Sequence, residues 1–281
     1  MRIRIVWVIA ILAGGVWAGP PATAGSHPAL VIHRGTEPRQ FEATALLRSP
    51  DATTLTVVHD VSYRRAMTYR AVPLLKLLGD IDNPEFDTLE ARANDGFIAQ
   101  IPLALIARGA QGGAVAWLAI EDAAHPWPAL PSRTTSAGPF YLVWDHPEAS
   151  KVRSEQWPHG LVSLRFVASP VHRWPQLGLP ADHASDAAAR SGQAVFLSLC
   201  LPCHRFNGGG ASDTGPDLGQ PMSATQYMTD TGLRALIRNP RSVRSWPGQR
   251  MEGFGQQTLP DADLDDLLIY LRVMTGAGHP N

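Results

Sequence analysis

Cys200 and Cys203 are the only two cysteines in the chain, and they stand in "CLPCH", with His204 directly after the second. Thiols three positions apart on a helical turn face the same way, and an imidazole four positions from the first shares that face. Four chemistries use such a set. A thioredoxin-like redox pair needs a βαβ setting, whereas the residues around Cys200 read as helical. A zinc site wants about four ligands, usually from two paired half-sites, and there is no second cysteine pair. A plain structural disulfide leaves the adjacent histidine without a purpose. Covalent attachment of a haem uses all three residues. Two thioether bonds would pin the porphyrin edge while the imidazole ligates iron from the proximal side.

Helices must hold these residues. Val195, Phe196 and Leu199 lead into the motif at helical spacing, and "TGLRALIRNP" reads as a second helix stopped at Pro240. "DADLDDLLIYLRVM" is a third, with Leu264, Leu267, Leu268 and Leu271 at i, i+3, i+4 and i+7. Asp261 and Asp263 suit the positive end of its dipole, and Arg272 lies near the negative end. Upstream the pattern is mixed α and β. "LVSLRFVAS" (161–169) alternates, which puts Val162, Leu164 and Phe166 on one buried face. "GAVAWLAIED" and "FYLVW" are continuous apolar runs, read as more deeply buried strands. "AVPLLKLLGD" reads as a short helix with Pro73 in its first turn and Gly79 at its end. Residues 124–139 form a proline-rich loop, and the Pro/Ala/Gly/Asp-rich stretch after residue 175 makes a domain linker.

The N-terminus reads as a cleavable export signal. Arg2 and Arg4 precede an apolar run from Ile5 to about Val16, and "ATA" ending at Ala24 fits the small-x-small cleavage rule ("VWA" ending at Ala18 is a second candidate). A run of about twelve residues is short of the roughly twenty that a spanning helix needs. The expectation is a bacterial periplasmic protein with no stable membrane span once the signal is removed; an uncleaved anchor is the alternative. Lys and Arg number 24 against 25 Asp and Glu, so no basic footprint favours nucleic acid or a membrane surface.

The surroundings of the motif resemble a class I cytochrome c over residues 188–281. The resemblance is carried by Gly192, Phe196, "CLPCH", "GPDL" (215–218), "LIRNP" (236–240), "RMEGF" (250–254) and "LPDADLDDLLIYLR". It implies an all-α cytochrome c fold in which the first and last helices cross through Gly192, Phe196, Tyr270 and Leu271. It also implies one covalent haem c on Cys200 and Cys203, with His204 and Met251 as axial iron ligands. Pro216 would orient the proximal imidazole through its carbonyl. Met222 and Met228 are rivals for the sixth position, although a lone methionine is more often core filler. Two residues depart from the family pattern: Glu252 stands where proline is usual, and Pro260 replaces a Ser/Thr cap.

Residues roughly 40–170 are similar to the molybdopterin-binding domain of the sulfite-oxidase family, through "MTYRAVPLLKLLG", "EARANDGFIAQIPL" and "GPFYLVW". That resemblance implies an α+β domain with a mixed sheet over 25–178, joined by a linker (179–187) to the haem domain. Enzymes of that family ligate molybdenum with a cysteine, and this chain has none outside "CLPCH", so no molybdenum cofactor is expected. His33, His59, His125, His146, His159 and His172, scattered through this region, show no ligand spacing. Arg64, Arg65 and Arg70 could grip an anion or an acidic partner; a solvated edge is the plainer reading.

The resulting expectation is a single-haem electron carrier rather than a catalyst, exchanging electrons with a dehydrogenase donor and an oxidase or cytochrome acceptor. The first domain would serve as docking scaffold. Two rivals remain: a haem enzyme or gas sensor with a displaceable sixth ligand, and an oxidoreductase with an unrecognised cofactor in the first domain.

Overall fold

The computed structural model describes residues 28–131 and 133–277; the export signal expected over 1–24 lies outside them. The first region contains β1 (Ala29–Arg34), β2 (Glu37–Glu42), α1 (Ala43–Leu47), β3 (Thr53–Val57), β4 (Met67–Pro73) and α2 (Leu74–Leu78). It continues with β5 (Thr88–Ala93), β6 (Ile98–Pro102), α3 (Leu103–Ala107), β7 (Val115–Ile120), β8 (Phe140–Asp145) and β9 (Leu161–Val167). Two sheets result, ordered β2-β1-β9-β5-β6 and β3-β4-β7-β8. The β1–β9 pair is parallel and its neighbours are antiparallel, so the larger sheet is mixed. β8 buries every residue from Phe140 to Trp144, as a strand covered on both faces does. α2 ends at Gly79, whose φ of 75° only glycine adopts without strain.

β9 departs from simple alternation. Leu161, Leu164 and Phe166 are buried while Val162 is 41% exposed. The register explains it: Arg92 opposes Ser163 and the next residue, Ala93, opposes Leu161. Val162 is therefore the extra residue of a β-bulge, and a bulge inverts the parity on one side of itself.

Two buried polar knots tie this region together. Asp60 accepts from the Tyr69 hydroxyl at 2.7 Å, the Tyr141 hydroxyl at 3.2 Å and the Tyr63 amide at 2.8 Å. Burial still outweighs these three donors, and its carboxyl pKa lies above the usual value. Glu90 on β5 accepts from Gln100 at 3.1 Å and from Arg173 at 2.6 Å. Burial works to raise its pKa, but the bonds and charge of Arg173 and Gln100 prevail and hold it low.

The second region is helical: α4 (Pro170–Arg173), α5 (Ala187–Val195), α6 (Ala224–Tyr227), α7 (Asp230–Arg238), α8 (Pro240–Val243) and α9 (Asp261–Ala277). Asp186 caps α5 by accepting from the Ala188 and Ala189 amides. Pro240 does not end α7, which stops at Arg238; it opens α8 from the first-turn position that tolerates proline. α5 and α9 cross where a Cβ on Gly192 would overlap the Asp266 carbonyl oxygen. Phe196 then meets Tyr270 at 5.3 Å and Phe206 edge-on at 5.8 Å, and the Tyr270 hydroxyl donates to Leu177 O at 2.9 Å. This second core also takes in Leu177, with Val171 and Trp174 packed against it, so the chain joins it ahead of residue 179. Among the described residues no helix is long and apolar enough to cross a membrane.

Candidate functional site

α5 runs into one π-type turn, Phe196–Cys200, closed by the Leu201 amide on Phe196 O at 2.9 Å. The Cys200 carbonyl then receives the amides of both Cys203 (3.1 Å) and His204 (2.9 Å). One carbonyl thus fastens the two thiols and the imidazole into a single turn. Neither cysteine is in a disulfide. Burial pushes both thiols up to about 12; each is raised further by the Glu155 carboxylate, and Cys200 also by its neighbour Cys203. Arg250 opposes the rise at Cys203. Dithiol-exchange catalysts need depressed thiol pKa values, so these protonated thiols are unsuited to that chemistry.

His204 Nδ1 lies 2.8 Å from Pro216 O. A carbonyl oxygen only accepts, so Nδ1 carries the proton and Nε2 keeps its lone pair for a ligand. Burial lowers the imidazole pKa, which favours the neutral form that binds metal. The ring is also braced on its face: a Cβ on Gly215 would come within 2.5 Å of His204 Cε1. Gly215 is itself held by its amide on Cys203 O at 2.7 Å. Next to it, Asp217 gathers the amides of Asn207 (3.0 Å), Gly208 (2.7 Å), Gly219 (2.8 Å) and Gln220 (3.1 Å). One carboxylate therefore shapes both the segment after the motif and the segment that clasps the histidine.

Met251 is half-buried in the irregular stretch between α8 and α9. That stretch is pinned just beyond it. The Phe254 amide bonds Ile237 O at 2.9 Å, and Arg238 donates to Phe254 O (2.9 Å), Leu259 O (2.5 Å) and Asp261 (2.6 Å). Gly253 fits against the Arg238 carbonyl, where a Cβ would overlap. Of the other two methionines considered, Met222 is 52% exposed and Met228 packs against the second core. The Gln249 amide, two residues before Met251, is buried without a hydrogen-bond partner among the described residues. Two thiols on one turn with an imidazole whose lone pair is directed are donors that fit a covalent haem; the Met251 thioether lies on a separate, anchored loop.

The first region lies along the same turn. The Ile98 amide donates to Pro202 O at 3.2 Å, and Ser212 Oγ to Gly96 O at 3.2 Å. Arg153 pairs with Asp263 at 2.7 Å, and Arg64 with Glu252 at 3.2 Å. Glu252, which stands where the family pattern has proline, thus reaches the other region. Sequence reasoning missed Glu155, whose carboxyl burial raises to about 7. It also missed Asp217 as an anchor, although "GPDL" was singled out. A carboxylate following a glycine-proline pair was the available signal for Asp217; Glu155 had none, being brought in by another part of the fold.

Residues 189–275 match the family model of cytochrome c. The match supports a c-type cytochrome in the C-terminal part, with covalently bound haem c and a haem-based electron-transfer role. No curated protein matches the chain.

Proposed function

We propose that the protein is a periplasmic mono-haem c-type cytochrome that carries electrons between redox partners. Cys200 and Cys203 anchor the haem as thioethers, and His204 Nε2 and the Met251 sulfur bind its iron. The bound haem supplies one-electron exchange between ferric and ferrous iron. The protein's own contribution is to keep that exchange free of rearrangement. Pro216 holds the imidazole in one tautomer and orientation, Gly215 lets backbone brace its face, and Arg238 anchors the loop bearing the methionine. The observation that carries this reading is the pinned Nδ1 of His204, 2.8 Å from Pro216 O, on the turn that also bears both free thiols.

The first domain is proposed as a docking scaffold without a molybdenum centre. Its contacts along Pro202 and Ser212 support that role. Metal and pterin analysis of protein from its native host tests it, and stoichiometric molybdenum would overturn it. For the haem, the test is optical. Met251→Ala is expected to abolish the sulfur-to-iron charge-transfer band of the ferric protein. Ready carbon monoxide binding by the reduced unmutated protein would point instead to a displaceable sixth ligand, as in a sensor or enzyme.

A further inference from the structure

From Thr231 to Met251 the chain carries five arginines and no acidic residue. Arg234 is tied to Asp265, and Arg238 to Asp261 at 2.6 Å. Arg241, Arg244 and Arg250 are exposed, and none lies within ion-pairing distance of a carboxylate among the described residues. Among them stands Trp246, 49% exposed, with the Arg244 guanidinium 5.8 Å from its ring centroid. An aromatic and unpaired arginines at a solvent face are what interface centres are enriched in.

The position of this surface gives it meaning. Arg250 directly precedes Met251, so the patch reaches the loop that would bear the sixth iron ligand. The first region takes the cysteine-bearing turn through Ile98 and Gly96 and reaches Glu252 through Arg64, whereas residues 241–248 stay exposed. Its extent is also limited. The ion pairs to Asp261 and Asp265 set the acidic first turns of α9 directly beside it. A small positive area bounded by carboxylates matches a discrete acidic patch and is repelled at its border by a continuous anionic sheet.

We propose that Arg241, Arg244, Trp246 and Arg250 form the docking surface for an acidic redox protein, which exchanges one electron with the haem across the loop bearing Met251. The inference rests on the haem-carrier reading and names the chemistry of its partner. Electrostatic steering of this kind raises encounter rates by factors of about 10 to 10³ and fades with salt.

The test compares the full-length holoprotein with Arg241→Glu/Arg244→Glu and with Arg39→Glu, a control on β2 at the sheet edge opposite β6. The first readout, retention on immobilised poly-L-glutamate, needs no haem; it should be lost in the double variant and kept in the control. The second is the oxidation of the ferrous protein by hexacyanoferrate(III), in which one electron leaves iron and hexacyanoferrate(II) forms. Its rate should fall roughly tenfold in the double variant at low salt and converge at high salt. Equal retention in all three proteins overturns the docking surface, as does an unchanged rate with haem in place. Capture of the unmutated protein by phosphatidylglycerol vesicles without retention on poly-L-glutamate overturns it in favour of a membrane. Absence of covalent haem from the pyridine haemochrome spectrum sinks the carrier reading instead, while retention still reports on the surface.

Discussion

In the sheet-rich region Asp60 is surrounded by two tyrosine hydroxyls and an amide, and Glu90 is held by Arg173 and Gln100. In the helical region His204 commits one nitrogen to Pro216, and the two thiols beside it form no disulfide. Both regions bury chemistry-bearing groups, but they dispose of them differently. The first region satisfies its polar groups with side-chain partners, Arg173 of α4 among them, so their bonds stabilise and specify the fold. The second spends backbone carbonyls and glycines on orienting groups whose remaining valence is directed elsewhere. A site is recognised by that remainder more than by burial or by unusual pKa values, which both regions possess.

The contrast breaks most sharply at the thiols. Cys200→Ser/Cys203→Ser is expected to abolish covalent haem completely, read as loss of haem staining after denaturing electrophoresis. Retained staining would detach the motif from the cofactor. In the first region the largest effect should come from Asp60→Ala, which strands the buried Tyr69 hydroxyl and the Tyr63 amide, while the Tyr141 hydroxyl keeps Ser62 at 3.0 Å. A loss of about 3 kcal/mol in denaturant unfolding is expected, with the haem spectrum unchanged; undiminished stability would mean the tyrosines find other partners.

Glu90 sharpens the comparison through pH. Its folded pKa lies below the ordinary 4.5, so between the two values the unfolded chain binds more protons than the native one. Its contribution to stability is therefore full above about pH 4.5 and is lost as pH falls through the lowered native value. Glu90→Gln should flatten that part of the stability–pH curve, and an unchanged acid limb would show the pair to be inert. The smallest effect belongs to Arg64→Ala. Its ion pair with Glu252 is more than 70% exposed on both sides, so a few tenths of a kcal/mol is expected. A loss well beyond that in thermal unfolding would mean the two regions are coupled more strongly than this contact allows.

Much of the candidate site was legible because it is local. The spacing of Cys200, Cys203 and His204 spans one turn, and the leucine pattern of α9 repeats along a single helix. The strand runs "GAVAWLAIED" and "FYLVW" announced β7 and β8 for the same reason. Val162 was misjudged because a bulge is a property of two paired strands and leaves no mark in one of them. Glu155 escaped notice because its approach to the cysteines depends on how the two regions meet.

The sequence by itself determined the chemistry on offer: two thiols, an imidazole, and the helical periodicity that sets them on one face. Those follow from backbone geometry over a few residues. Only the tertiary structure decided which groups were consumed and which were left available. It brought Pro216 O to His204 and Asp217 to four amides. It also closed three tyrosines around Asp60 and left Arg241, Arg244 and Arg250 without carboxylate partners among the described residues. Each of these outcomes depends on the path of the chain between residues far apart, and that path is set by the summed burial of two cores rather than by local spacing.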